Sequence, residues 1–334
     1  MGDDGTVVPR IAPGWKFWAR ILVSVALLAV LVIKAPNPDE LLPNRHHVLT
    51  ATLLTCALLT TFLGIILSAW RWQRVLRVFD ATVPLRTLVS HYLAGQFVGN
   101  VLPSTIGGDV LRVTRASTTV DSPTIAFGSV VLERLTGFVA LPLLIFVGFA
   151  ARPSLIDVDR AWLTLLIAGI TLALLGIVLF LAGHPRIAGR FAEHENWTRF
   201  IGAVHVGVDR LRREPRQALP VLGTAIIYQL SVVVTVALIC RTLDLPVPLA
   251  ALFAYVPAVS MLQVLPLSFN GLGVREGALV LFLQPWSVSS TQAIAVGLLW
   301  FLATLIVSGL GAPAFAIGQR HKRTSDVDAS ESAV

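Results

Sequence analysis

Two arginines, each closing a loop broken by glycine and proline, carry the clearest chemistry in this sequence. The first loop runs Asn100-Val101-Leu102-Pro103-Ser104-Thr105-Ile106-Gly107-Gly108-Asp109-Val110-Leu111-Arg112 and lies between apolar runs. Pro103 removes a backbone donor, and Gly107 and Gly108 each lower helix propensity by about 1 kcal/mol relative to alanine. Asp109 and Arg112 would each cost roughly 2.5–3.5 kcal/mol in hydrocarbon. Such a segment cannot be the middle of a lipid-facing helix. It persists at membrane depth only when buried in protein or lining a wet cavity. A second loop, Leu265-Pro266-Leu267-Ser268-Phe269-Asn270-Gly271-Leu272-Gly273-Val274-Arg275-Glu276-Gly277, repeats the pattern, with the same nine-residue step from Pro103 to Arg112 and from Pro266 to Arg275. In that register Leu102 matches Leu265 and Gly108 matches Gly271. Paired interruptions in corresponding halves point to a transporter's binding site.

The chemistry expected of these loops is anion binding. Arg112 and Arg275 would each hold a phosphate. Backbone amides at the Gly107-Gly108 and Asn270-Gly271 breaks, at half-helix N-termini, would add to the anion site. The substrate-binding set read from the loops is Asn100, Ser104, Gly107, Gly108, Asp109 and Arg112 in the first, and Ser268, Asn270, Gly271, Gly273, Arg275 and Glu276 in the second. Glu133 and Arg134 join it, because a charged pair inside the long apolar run 125–150 marks function by default. Their other reading is a purely structural ion pair. Glu133 and Glu276 would balance the arginines without lipid, or contact a cationic headgroup.

The surrounding chain defines where this chemistry happens. Of 334 residues, 55% are hydrophobic and only 13% charged, with mean hydropathy +0.77, whereas a soluble domain carries roughly 25% charged residues. The fold class is therefore all-α and polytopic, an integral membrane protein. The net charge of +7 reads as positive-inside topology and contact with anionic lipid, not nucleic-acid binding. Cys56 and Cys240 both fall in apolar runs, and the seven histidines make no ligand-spaced cluster, so no metal and no other cofactor is expected.

Full spans are expected over 15–33, 48–70, 125–150, 161–182, 218–240 and 291–317. Two shorter apolar segments flank the broken loops as re-entrant hairpins; eight spans is the alternative. Residues 1–14 and 321–334 read as disordered tails around a transmembrane domain of residues 15–320, with halves near 48–150 and 218–317. Trp70–Arg77 reads either as an interfacial anchor or as a surface helix against headgroups. Lys and Arg crowd the start of the first span and residues 71–86, 112–115, 183–217 and 320–323, while 34–47, 151–160 and 241–248 are neutral. By the positive-inside rule the chain is a multi-pass protein of the cytoplasmic membrane with both termini inside. The first hairpin then dips from the inner face and the second from the outer, the layout of an inverted repeat.

Together the Asn100–Arg112 loop, Glu133-Arg134 and the Leu265–Gly277 loop resemble the lysylphosphatidylglycerol synthase transmembrane family, also called the flippase-like domain family, over roughly residues 15–320. The resemblance implies a translocator of lipids or lipid-linked groups. The soluble aminoacyl-transferase domain that follows the membrane part in the synthases is not expected here. The partners implied are membrane lipids, anionic or lipid-linked. The leading expectation is a translocator rather than an enzyme, because no nucleotide-binding or transferase motif accompanies Asp109 and Glu133. The alternatives are a membrane-embedded lipid-modifying transferase, and a regulatory subunit that binds a separate enzyme partner through the basic 183–217 loop.

Opposed hairpins make a direct prediction. In a background lacking Cys56 and Cys240, Ser268→Cys should react with a membrane-impermeant maleimide on intact cells. Ser104→Cys should react only after the membrane is opened. Equal labelling at both positions would contradict the inverted arrangement.

Overall fold

A computed structural model describes residues 47–101, 107–183, 202, 205–211, 213, 215–265 and 271–316. The expected first span and both tails lie outside the described residues, as do Ser104, Ser268 and Asn270. The described chain is helical: α1 His47–Val78, α2 Leu85–Val101, α3 Gly107–Thr119, α4 Pro123–Ala151, α5 Ala161–Gly183, α6 Pro215–Thr242, α7 Leu249–Val264, α8 Val274–Leu283 and α9 Ser290–Gly309. Short 3-10 turns, Pro153–Asp157 and Gln284–Trp286, follow α4 and α8.

Five of these helices, α1, α4, α5, α6 and α9, are long and apolar enough to cross a membrane. They fall on five of the runs expected to span. Helix α2, at 17 residues, is shorter than the roughly 20 a span needs and packs against α3. Helix α5 leaves Trp162, Leu166, Ile170, Leu174 and Ile177 exposed, an apolar surface suited to lipid.

Two boundaries differ from expectation. Helix α1 does not stop at Trp70; it is one 32-residue helix to Val78, and its Trp70–Arg77 stretch buries Arg71 and Trp72 while Arg77 stays exposed. The cause is the absence of glycine or proline between Gly64 and Pro84. The last span does not run to Ile317. Helix α9 ends at Gly309, and residues 311–316 form a separate short helix. Gly311 lies so close to the Leu93 carbonyl of α2 that a Cβ there would overlap it, and Phe315 packs on Phe97 with ring centroids 6.1 Å apart.

The two halves use the same local devices. Helix α1 ends in Arg77-Val78-Phe79-Asp80-Ala81-Thr82-Val83-Pro84-Leu85, and α6 in Arg241-Thr242-Leu243-Asp244-Leu245-Pro246-Val247-Pro248-Leu249. Both aspartates adopt left-handed backbone, with φ of 60° and 52°. In both turns an amide then reaches back to the helix: Ala81 N–H to the Leu76 carbonyl at 3.0 Å, and Leu245 N–H to the Cys240 carbonyl at 2.9 Å. The buried valines Val83 and Val247 pin the turns. Helices α4 and α9 both start from a serine N-cap: Ser122 accepts from the Ile125 amide and Ser289 from the Gln292 amide. The helix pairings correspond as well. Helix α1 packs along α6, α2 against α9 as α7 against α4, and each hairpin against the helix that follows it.

Two apolar clusters bracket a polar middle. One gathers Leu144–Phe149 of α4 with α7, α8 and the start of α9; the other gathers Ala69, Trp72 and Leu76 of α1 with Leu88, Ala126 and Val130. At one end, Arg210 binds Asp80 at 2.5 Å and Arg115 donates to the Phe315 carbonyl. At the other, Arg160 donates to Gln284 and Arg152 lies over Trp286.

The tightest contact in the first hairpin is Gly108 on Gly95, where a Cβ would fall onto the Gly95 carbonyl oxygen. Gly108→Ala should therefore destabilise the protein by about 1–3 kcal/mol, the usual cost of overpacking. Thermal unfolding in detergent should show a lowered midpoint; an unchanged midpoint would contradict this approach of α2 to α3.

Candidate functional site

The polar middle is organised by Glu133. It sits on α4 and is 1% exposed, as a carboxylate in a membrane protein can be only with partners of opposite charge. Arg71 of α1 donates to its Oε1 from Nη2 at 2.5 Å and from Nε at 3.2 Å. Arg112 of α3 donates from Nη2 to the other oxygen, Oε2. The Tyr92 hydroxyl lies 3.5 Å from Oε1. Each guanidinium also has aromatic faces: Arg112 lies 4.1 Å from the Tyr92 ring centre and 4.4 Å from that of Trp72, and Arg71 lies 5.0 Å from that of Tyr228. The Trp72 indole donates to Ser129 at 2.9 Å, which fixes the ring under Arg112. Arg134, next in sequence, points the other way around α4; it is half-exposed and pairs with Asp109, which also contacts Arg112 at 3.4 Å.

The second half-site is built differently. Arg275 is the second residue of α8 and is paired with its neighbour Glu276, at 2.6 Å from Nη2 and 3.0 Å from Nε to Oε1. The other Glu276 oxygen accepts the Gly273 amide at 2.6 Å. Gly297 of α9 gives this carboxylate its room, since a Cβ there would lie 2.9 Å from Glu276 Cγ. Arg275 rests over Phe301 at 5.1 Å and Trp300 at 5.8 Å. Trp300 stands eleven residues after the Ser289 cap, as Glu133 stands eleven after Ser122. The position that is a carboxylate under Arg112 is thus an indole under Arg275.

Both half-sites open into one cavity of about 450 Å³, lined by Arg71, Asn100, Asp109, Arg112, Glu133, Arg134 and Arg275 among others. That volume lies within the roughly 300–1,000 Å³ of small-molecule sites. The cavity brings four guanidiniums together with the carboxylates Asp109 and Glu133, and Glu276 lies bonded behind Arg275. Among the described residues the cluster therefore carries one positive charge in excess. The Arg112 Nε is buried without a partner. Among the described residues no group of His, Cys, Asp and Glu is arranged to hold a metal ion.

Gly107 and Gly108 form the N-terminal turn of α3, and Arg112 lies in its second turn. Gly271 and Gly273, with φ of 73° and 82°, do form the approach to α8, but the Gly273 amide is occupied by Glu276 and is not open to an anion. Of the two roles expected for Glu133 and Glu276, the pairing seen is with the arginines. The sequence reading misses Arg71, Trp72, Tyr92 and Tyr228. The unbroken helical run past Trp70 is the available signal for the first two; nothing local marks the tyrosines.

Glu133 holds two buried cations, so its loss should cost more than the loss of either arginine. Glu133→Gln should destabilise by about 3–5 kcal/mol, the penalty for stranding a buried charge. Arg71→Met leaves the Glu133–Arg112 pair intact and should cost less. Unfolding midpoints in the reverse order would contradict Glu133 as the hub.

Comparison with curated proteins gives no match. The sequence profile of the family described as "Lysylphosphatidylglycerol synthase TM region" matches residues 17–311, nearly the whole chain. The chain belongs to the lysylphosphatidylglycerol synthase transmembrane-region family, whose membrane domains are associated with lipid handling.

Proposed function

We propose that this domain translocates lipids or lipid-linked groups across the cytoplasmic membrane by binding their phosphate in the shared arginine cavity. The observation that carries the reading is the meeting of arginines from both hairpins, Arg112 and Arg275, in one cavity with a guanidinium in excess. Guanidinium is suited to this because its planar array of donors matches phosphate oxygens and is less strongly hydrated than an ammonium. Arrival of a phosphodiester would neutralise the excess charge and let Arg112 or Arg275 exchange part of its carboxylate pairing for phosphate.

The repeated Arg77–Leu85 and Arg241–Leu249 turns, the serine caps and the corresponding helix pairings support an inverted repeat with its axis through the α1–α6 contact. Rocking of one half against the other around a fixed central site would then expose the arginines to each leaflet in turn. Lys and Arg distribution supports both termini inside. Arg71 and Arg112 no longer count toward it, being buried, but Arg74, Arg77, Arg86 and Arg115 remain on that side. A transferase reading has less support, since among the described residues the carboxylates that line the cavity, Asp109 and Glu133, are both bonded to arginine.

The test is lipid movement in reconstituted vesicles, followed by dithionite quenching of fluorescent phospholipids. Arg112→Ala and Arg275→Ala should each slow movement about tenfold or more, the loss expected from a charged hydrogen bond, with expression and insertion retained. Unchanged rates in both variants would contradict the phosphate site.

A further inference from the structure

The end of α9 is built as a joint. Ser308-Gly309-Leu310-Gly311-Ala312-Pro313 holds two glycines and a proline. Pro313 has no amide to give the Gly309 carbonyl, so a regular helix cannot run through the segment. The chain resumes as the separate helix 311–316. The two glycines serve different ends. Gly311 is required by its packing on the Leu93 carbonyl and Phe97, whereas Gly309 has open space beside it. What a glycine supplies at an unpacked position is backbone freedom.

The 311–316 helix clamps both arms of the hairpin that carries Arg112. On α2 it rests on Leu93, through Gly311, and on Phe97, through Phe315. Those residues bracket Gly95, where a Cβ would lie 2.7 Å from Arg112 Cγ. On α3 its Phe315 carbonyl accepts from Arg115 Nη2 at 3.1 Å, three residues past Arg112. Every one of these contacts ties the second half of the chain to the first.

The corresponding contact in the other half is closed by a continuous rod. Counted from the serine caps, Pro142 of α4 stands where Gly309 stands in α9, yet α4 runs unbroken to Ala151. It packs on α7 through Gly148, where a Cβ would lie 2.8 Å from the Ala250 carbonyl oxygen and 2.9 Å from the Ala254 amide nitrogen. Leu144, Ile145 and Phe149 are buried there with Leu252 and Tyr255. Helix α2 meets α9 more sparsely, and among the described residues the apolar cluster around α2 takes Val307 alone from α9. A seam with few buried apolar contacts opens at low cost. Gly95 and Gln96 line the cavity on one side of this seam, and Thr304 and Ser308 on the other, so parting it would open the cavity.

We propose that residues 309–316 gate the cavity on the α2–α9 side. They form a strap hinged at Gly309 that holds the seam shut when seated on Leu93, Phe97 and Arg115, and lets it part when it lifts. By the orientation proposed above, this is the cytoplasmic side. The gate controls access whatever the cavity holds; its link to transport rests on the translocation reading.

Two measurements on the full chain lacking Cys56 and Cys240 test this. Ser308 is 1% exposed and lines the cavity, so Ser308→Cys reports opening through its rate of reaction with a charged maleimide in nanodiscs. Adding Phe315→Ala should raise that rate about fivefold, the loss expected from one aromatic pair, and Phe315→Tyr should leave it unchanged. Separately, Phe97→Cys with Phe315→Cys can be joined by a short methanethiosulfonate cross-linker in vesicles. Joining them should stop lipid movement, and reductant should restore it. A strap that is only structural never needs to lift, and locking it would change nothing. A labelling rate unaltered by Phe315→Ala, or lipid movement unaltered by complete cross-linking, overturns the gate. Vesicles in which the uncross-linked protein moves no lipid overturn the translocation reading instead, and the labelling rates then decide the gate alone.

Discussion

One carboxylate makes this interior possible. Arg71 and Arg112 come from different helices, and each would be rejected from a membrane interior if alone. Glu133 meets both, one oxygen apiece, and stands on the helix that packs between them. Everything around it serves that arrangement: the indole of Trp72 held by Ser129, the Tyr92 ring over Arg112, and the Gly95–Gly108 approach that lets α3 lie close to α2. A buried ion cluster of this kind contributes little net stability. On the phosphate-site proposal, its use is to keep positive charge where a phosphate can reach it.

The second half keeps the outline and changes the chemistry. Trp300 stands where the cap register would place a counterpart of Glu133, and Arg275 is balanced by the adjacent Glu276 instead. One arginine is therefore held across helices and the other within a single helical turn. The first pair thus ties α3 to α4, whereas the second ties only neighbouring residues of α8.

Much of this architecture is legible in the amino-acid sequence. Apolar runs of about 20 residues report membrane spans because backbone polar groups in lipid must be satisfied within the helix. Glycine, proline and charge inside such runs report the broken hairpins for the same reason. Pairing between distant helices is not legible in this way. Arg71 reads as interfacial because it follows Trp70 at the end of an apolar run, and only the position of α4 shows that it turns inward to Glu133. The Gly107-Gly108 pair is legible as the edge of a helix, but its close packing on Gly95 is not. Nor is it legible that the Glu276 carboxylate accepts from the Gly273 amide, three residues back, as well as from Arg275. The Arg77–Leu85 and Arg241–Leu249 turns are visible as similar strings of residues, but the shared left-handed aspartate is what gives their likeness physical meaning.

The central claim is that lipid phosphate sits on Arg112 and Arg275 inside the protein. Solid-state NMR of the full chain with nitrogen-15-labelled arginine in phosphatidylglycerol bilayers measures this through phosphorus–nitrogen dipolar coupling. Surface arginines also touch headgroups, so the decisive quantity is the difference between the wild type and the Arg112→Lys, Arg275→Lys double variant. The account predicts coupling at contact distance that is present in the wild type and absent from the variant. Identical coupling in the two proteins would mean that the arginine cluster holds no lipid phosphate.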